Sequence, residues 1–152
     1  MKKFPTDKEW FGYERDLDAS YAYKVFFGKT NDEMQSSFKL NVIERTDEIR
    51  FMPVKAFQYY IFGLRDYVMK RDFGYLDSSD AASCFIGLVL EKLENEPSKI
   101  IPVLSELIPS IEFVSNNQNL YEASEEIYGN FKSKYKRIIA FFTLVRRSSN
   151  SE

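Results

Sequence analysis

The sequence contains no histidine and only one cysteine. Without imidazole, His-activated serine or cysteine nucleophiles are excluded, and so are imidazole metal ligands. A single thiol cannot close an internal disulfide, and alone it cannot supply a structural zinc site. That thiol, Cys84, lies inside the apolar run AASCFIGLVL, where it reads as a small core hydrophobe. Long apolar runs are missing too. No uncharged stretch approaches the roughly 18 residues that cross a bilayer. The opening MKKFPTDKEWFGYERD carries charges and Pro5 where a signal peptide needs an apolar segment. The expectation is a cytoplasmic protein, off the membrane, with no metal and no cofactor.

Aromatic residues, by contrast, are plentiful. They make up 16% of the 152 residues, as Phe 14, Tyr 10 and Trp 1. That is more ring area than one domain of this size usually hides, so some rings are expected at the surface, where they make good partner contacts. The length fits a single domain over 1–147 followed by a frayed tail at 148–152.

The net charge of −2 conceals a segregated distribution. Between 77 and 131 stand ten acids (Asp77, Asp80, Glu91, Glu94, Glu96, Glu106, Glu112, Glu122, Glu125, Glu126) against Lys92 and Lys99. Between 132 and 152 the balance inverts, with Lys132, Lys134, Lys136, Arg137, Arg146 and Arg147 against Glu152. Such asymmetry bears on partners rather than on fold.

Periodicity gives the fold class. In FMPVKAFQYYIFGLRDYVMKR, Phe57, Tyr60, Ile61, Leu64, Tyr67 and Val68 recur at three- and four-residue steps, and Pro53 suits a first helical turn. Asp18 is positioned to cap a helix ending near Gly28. Thr30 and Glu33 fit a capping box. Met34, Phe38, Val42, Ile49 and Met52 then fall on one helix face, although Phe38, Leu40 and Val42 also alternate as a hairpin strand would. Further stripes run through Ala82, Phe85, Ile86, Val89 and Leu93, then through Ile100, Leu104, Leu107, Ile108 and Ile111, with Pro109 kinking or closing the helix. Leu120, Ala123, Ile127 and Phe131 continue the helical spacing, bent near Gly129. Phe131, Tyr135, Ile138, Phe142 and Val145 form the last stripe. The reading is an all-α domain of six to seven helices packed around the 53–71 helix, with a short β-hairpin near 38–52 as the open alternative.

Gly28-Lys29-Thr30 mimics the end of a phosphate-binding loop, but Tyr23 stands where that loop needs its first glycine. Capping explains the same residues. Glu122, Glu125 and Glu126 fall on one turn, as Glu91 and Glu94 do, and such groups suit a solvated face, acid–base or metal chemistry, or a docking surface for a basic partner. The basic cluster at 132–137 could meet phosphate, with Tyr135 to stack, yet the apolar stripe claims Tyr135 for the core. Phe62 shares a helix face with the polar Gln58, Arg65 and Asp66, so another helix covers it or it is an exposed anchor.

The stretches WFGYERD (10–16), FFGKTNDE (26–33) and FMPVKAFQYYIFGLRDY (51–67), in a small acidic helical chain without histidine, resemble immunity proteins of bacterial contact-dependent growth inhibition and related polymorphic toxin systems. The resemblance implies a non-enzymatic protein that binds a cognate toxin domain, often a nuclease, and blocks it. The surface expected to do so is acidic and aromatic: Asp77, Asp80, Glu91, Glu94, Tyr121, Glu122, Glu125, Glu126 and Tyr128, with Phe62 as a separate anchor. A nucleic-acid or regulatory adaptor using the C-terminal basic helix is the alternative, and a carboxylate-dependent enzyme comes third.

Overall fold

The structure, a computed structural model, describes residues 4–74 and 77–150. Among them every regular element is helical. Two 3-10 turns, Asp7–Trp10 and Tyr13–Arg15, precede α1 (Leu17–Phe26), α2 (Gln35–Leu40), α3 (Val42–Arg50), α4 (Val54–Lys70), α5 (Ser78–Asn95), α6 (Pro97–Asn116), α7 (Glu125–Tyr128) and α8 (Phe131–Asn150). The all-α reading holds, with more helices than expected. The chain divides after Asp77 into two compact units. Of the expected tail, 151–152 lie outside the described residues, and α8 runs through Ser148.

In the N-terminal unit, α4 is the organising helix. Phe57, Tyr60, Ile61, Leu64, Tyr67 and Val68 are all buried, against the first 3-10 turn, α2 and α3. Burying each such side chain contributes about 1.5–3 kcal/mol. Pro53 sits at the N-cap, one residue before the helix, and Arg71 ends it in the left-handed region at φ 57°. Trp10 is fully enclosed, with its ring edge-on to Tyr23 at 5.4 Å. Tyr23 in turn stacks on Tyr13 at 3.9 Å. Burial, followed by the hydrogen bond to Asp7, pushes the Tyr23 phenol up to about 12.

The turn before α2 is pinned to α4 by polar contacts. The Tyr60 hydroxyl lies 2.8 Å from the Phe26 carbonyl and 2.6 Å from that of Lys29. Asn31 donates from its backbone to the Tyr59 hydroxyl at 3.1 Å and from its side chain to the Tyr59 carbonyl at 3.0 Å. Gln35 donates to the carbonyls of Asn31 and Gly63. The capping box is present as read: Thr30 N–H donates to Glu33 at 2.9 Å, and Glu33 N–H to the Thr30 hydroxyl at 3.1 Å. These bonds hold the Glu33 carboxyl below its usual range.

One local expectation needs correction, and one open alternative is decided. Asp16, not Asp18, caps α1, accepting the Asp18 N–H at 2.9 Å. Segment 38–52 is helical rather than a hairpin, but Asn41 breaks it by capping α3 with its side chain on the Glu44 N–H at 3.1 Å. Met34, Phe38, Val42, Ile49 and Met52 are nevertheless all buried together, as the helical reading required.

In the C-terminal unit α5, α6 and α8 pack on one another. The α5 stripe is buried throughout, and Ile100, Leu104, Leu107 and Ile111 line the inner face of α6. Helix α6 neither closes at Pro109 nor at Pro102 but continues to Asn116. Among the described residues no helix is long and apolar enough to cross a membrane.

Candidate protein-docking site

The segment between α6 and α8 is where the structure departs most from the sequence reading. Residues 117–122 form successive turns and 123–124 are irregular, not the continued helix that Leu120, Ala123 and Ile127 suggested. Ala123 is buried while Leu120 is 45% and Ile127 76% exposed. Gln118 organises this segment. Its amide nitrogen donates to the carbonyls of Ala123 at 2.9 Å and Gly129 at 2.8 Å, and its oxygen accepts the Phe131 N–H at 2.9 Å. Gly129, at φ 77°, supplies a left-handed turn that other residues resist. Asn130 then caps α8 through the Ser133 N–H at 2.8 Å.

The polar side chains of α7 and α8 tie the loop down further. The Tyr128 hydroxyl donates to Asp80 at 2.8 Å and accepts from Ser79 at 3.0 Å. The Ser79 bond pulls the Tyr128 phenol down, but the Asp80 bond, burial and the Asp80 charge together push it up. Lys134 donates to the Tyr128 carbonyl at 2.7 Å, and burial followed by the Arg137 charge lowers its ammonium.

This framework leaves an open groove of about 870 Å3, lined by Asn116, Asn117, Gln118, Asn119, Leu120, Glu122, Glu125, Glu126, Asn130 and Lys132 among others. Its charge is predominantly negative. Glu125 accepts a hydrogen bond from Asn130, whereas among the described residues Glu122 and Glu126 form no ion pair. Glu122 also adopts φ 56°, a left-handed backbone uncommon outside glycine, asparagine and aspartate, which sets its carboxylate on an exposed turn.

The expected site residues therefore separate. Glu122, Glu125 and Glu126 come together at the groove. Tyr128 stands behind it, half-buried and bonded to Asp80. Tyr121 is fully enclosed, so its ring belongs to the core and offers nothing to a partner. Glu94 is paired with Arg137, and Glu91 is half-buried on α5. Asp77 accepts the Tyr67 hydroxyl at 3.0 Å in the N-terminal unit. Phe62 is half-exposed in that same unit, with the Arg65 guanidinium 4.8 Å over its ring. Sequence reading missed Leu120 and Ile127 as surface residues and Gln118 as the clamp. A glutamine within Asn-rich sequence carries no local signal of bonds to residues five, eleven and thirteen positions on.

The basic stripe of α8 is partly spent internally. Lys134 is held by Tyr128, Arg137 by Glu94, and the Tyr135 hydroxyl donates to Glu112 at 2.9 Å. Among the described residues, no three His, Cys, Asp or Glu side chains gather in a way that could hold a metal ion. No protein-family model, curated protein or solved structure matches the chain.

Proposed function

We propose that this protein is a non-catalytic binding protein of the immunity type, which presents the carboxylate groove of its C-terminal unit to the basic cleft of a cognate toxin domain, a nuclease. The observation that carries the reading is the exposure of Glu122, Glu125 and Glu126 around one groove that Leu120 also lines, with the exposed Ile127 next to Glu126 in the chain. Carboxylates left unneutralised by the nearby α8 cations suit a partner that brings its own positive charge, which gives fast, oriented association. The two exposed aliphatic side chains supply apolar contact once water is excluded. The cleft of a nuclease, built to attract phosphate, is the matching surface. Compartment follows from partner: such a protein acts in the cytoplasm, where an incoming nuclease does its damage.

Co-expression with the product of the adjacent upstream reading frame tests this. Growth should be restored by the wild-type protein and lost again with Glu122, Glu125 and Glu126 changed together to Gln. A neighbour that is harmless alone, or toxic despite the wild-type protein, contradicts the reading.

A further inference from the structure

A second mixed surface lies in the N-terminal unit, where α1 and α3 pack on each other. A groove of about 310 Å3 between them is lined by Asp18, Tyr21, Glu44, Asp47, Glu48 and Phe51. Its rim is unusually bare of cover. Tyr21 is 54% exposed and Phe51 40%, and Leu17, one turn before Tyr21 on α1, is 90% exposed. On α3, Ile43 is 50% exposed and stands four residues before Asp47, on the same helix face, while Phe51 follows the helix as its C-cap.

The charges of this groove do not balance. Arg45 forks onto the buried Glu48 at 2.6 and 2.8 Å and reaches Glu44 only at 3.4 Å. Arg50 pairs with Asp47. Two guanidiniums thus answer four carboxylates, of Asp18, Glu44, Asp47 and Glu48, and Asp18 is exposed. Burial raises the Glu48 carboxyl against the pull of Arg45, so the floor of the groove is already committed and the surplus lies at the rim.

We infer that the α1–α3 groove is a docking site for a basic amphipathic helix of a protein partner. Tyr21 and Phe51 line the groove, and the exposed Leu17 and Ile43 stand four residues before Tyr21 and Asp47 on their helices, an arrangement that suits an apolar stripe at helical spacing. Asp18, Glu44 and Asp47 beside them select arginine or lysine flanking that stripe. Nucleic acid and anionic lipid are both disfavoured, since either would bring phosphate to a rim of carboxylates. This site does not depend on the reading of the C-terminal groove.

The test uses the full chain and a labelled 18-residue helical peptide with leucines at i, i+3, i+4 and i+7 and arginines between, beside a version with Gln for Arg. Fluorescence anisotropy should show saturable binding of the arginine peptide, weakened about tenfold or more by the Gln version or by raised salt. Tyr21→Ser and Asp47→Asn should each weaken binding about threefold or more, with unchanged thermal melts showing that the fold is intact. Absence of binding overturns the inference. So does binding lost only when Glu122, Glu125 and Glu126 become Gln, which would assign the peptide to the other groove. Self-association dissolved by Tyr21→Ser would also overturn it, in favour of a second copy as occupant.

Discussion

The side-chain oxygen of Gln118 accepts the N–H of Phe131, the first residue of α8, at 2.9 Å. With its two donations to Ala123 and Gly129, this one side chain fixes both ends of the loop that carries Glu122, Glu125 and Glu126. Each bond contributes about 1 kcal/mol net. Gln118→Ala should therefore cost about 2–3 kcal/mol in chemical denaturation. Amide exchange should quicken over 118–131 more than along α5. Equal acceleration in both places would mean that Gln118 does not act locally.

In the N-terminal unit Asn31 packs closely on Gly63. A Cβ at position 63 would lie 2.3 Å from the Asn31 side-chain oxygen and 2.9 Å from its Cγ. Asn31 cannot swing away freely, because its nitrogen donates to Tyr59. Gly63→Ala should thus destabilise by about 1–3 kcal/mol through overpacking, even though alanine is the better helix former by about 1 kcal/mol. In an Asn31→Ala background the same change should become neutral or stabilising. An identical cost in both backgrounds would show that the contact is not the cause.

Helix α4 was legible because its apolar residues and burial coincide from Phe57 to Val68. Segment 38–52 was ambiguous for a physical reason: Leu40 is 86% exposed. Counting it as a core residue creates the false alternation with Phe38 and Val42, while Asn41 hides the break between α2 and α3. The acidic groove was legible in composition but not in shape. Helical spacing carried Leu120 and Ile127 inward and left Tyr121 at the surface, whereas the turns at 117–122 and the short α7 that follows reverse both. What decides those turns is the set of bonds from Gln118, together with the left-handed backbone at Glu122 and Gly129, and none of these has a periodic signature.

Acid should loosen the C-terminal unit at Lys92 and Glu96. Lys92 is almost wholly buried, and its ammonium lies 2.6 Å from Glu96. That hydrogen bond, with help from Lys99, lowers the Glu96 carboxyl from its ordinary 4.5. A lowered folded-state value means that the pair's contribution is fully present above 4.5 and is lost as pH falls through the folded value. Because the Glu96 side chain is 47% exposed, solvent screens the pair, and its contribution should stay below about 1 kcal/mol. Thermal melts from neutral pH down to about pH 3 should show Glu96→Gln less stable than wild type at neutral pH and less sensitive to acid. Parallel curves for the two proteins would remove Glu96 from the acid response.

The measurement closest to the central claim is a calorimetric titration of this protein with the proposed partner, the product of the adjacent upstream reading frame, at two salt concentrations, against the variant in which Glu122, Glu125 and Glu126 are Gln. Tight binding should weaken about tenfold or more in the variant, and the gap should narrow as salt rises. Equal affinity for wild type and variant at low salt would contradict the claim that the carboxylate groove is the docking surface.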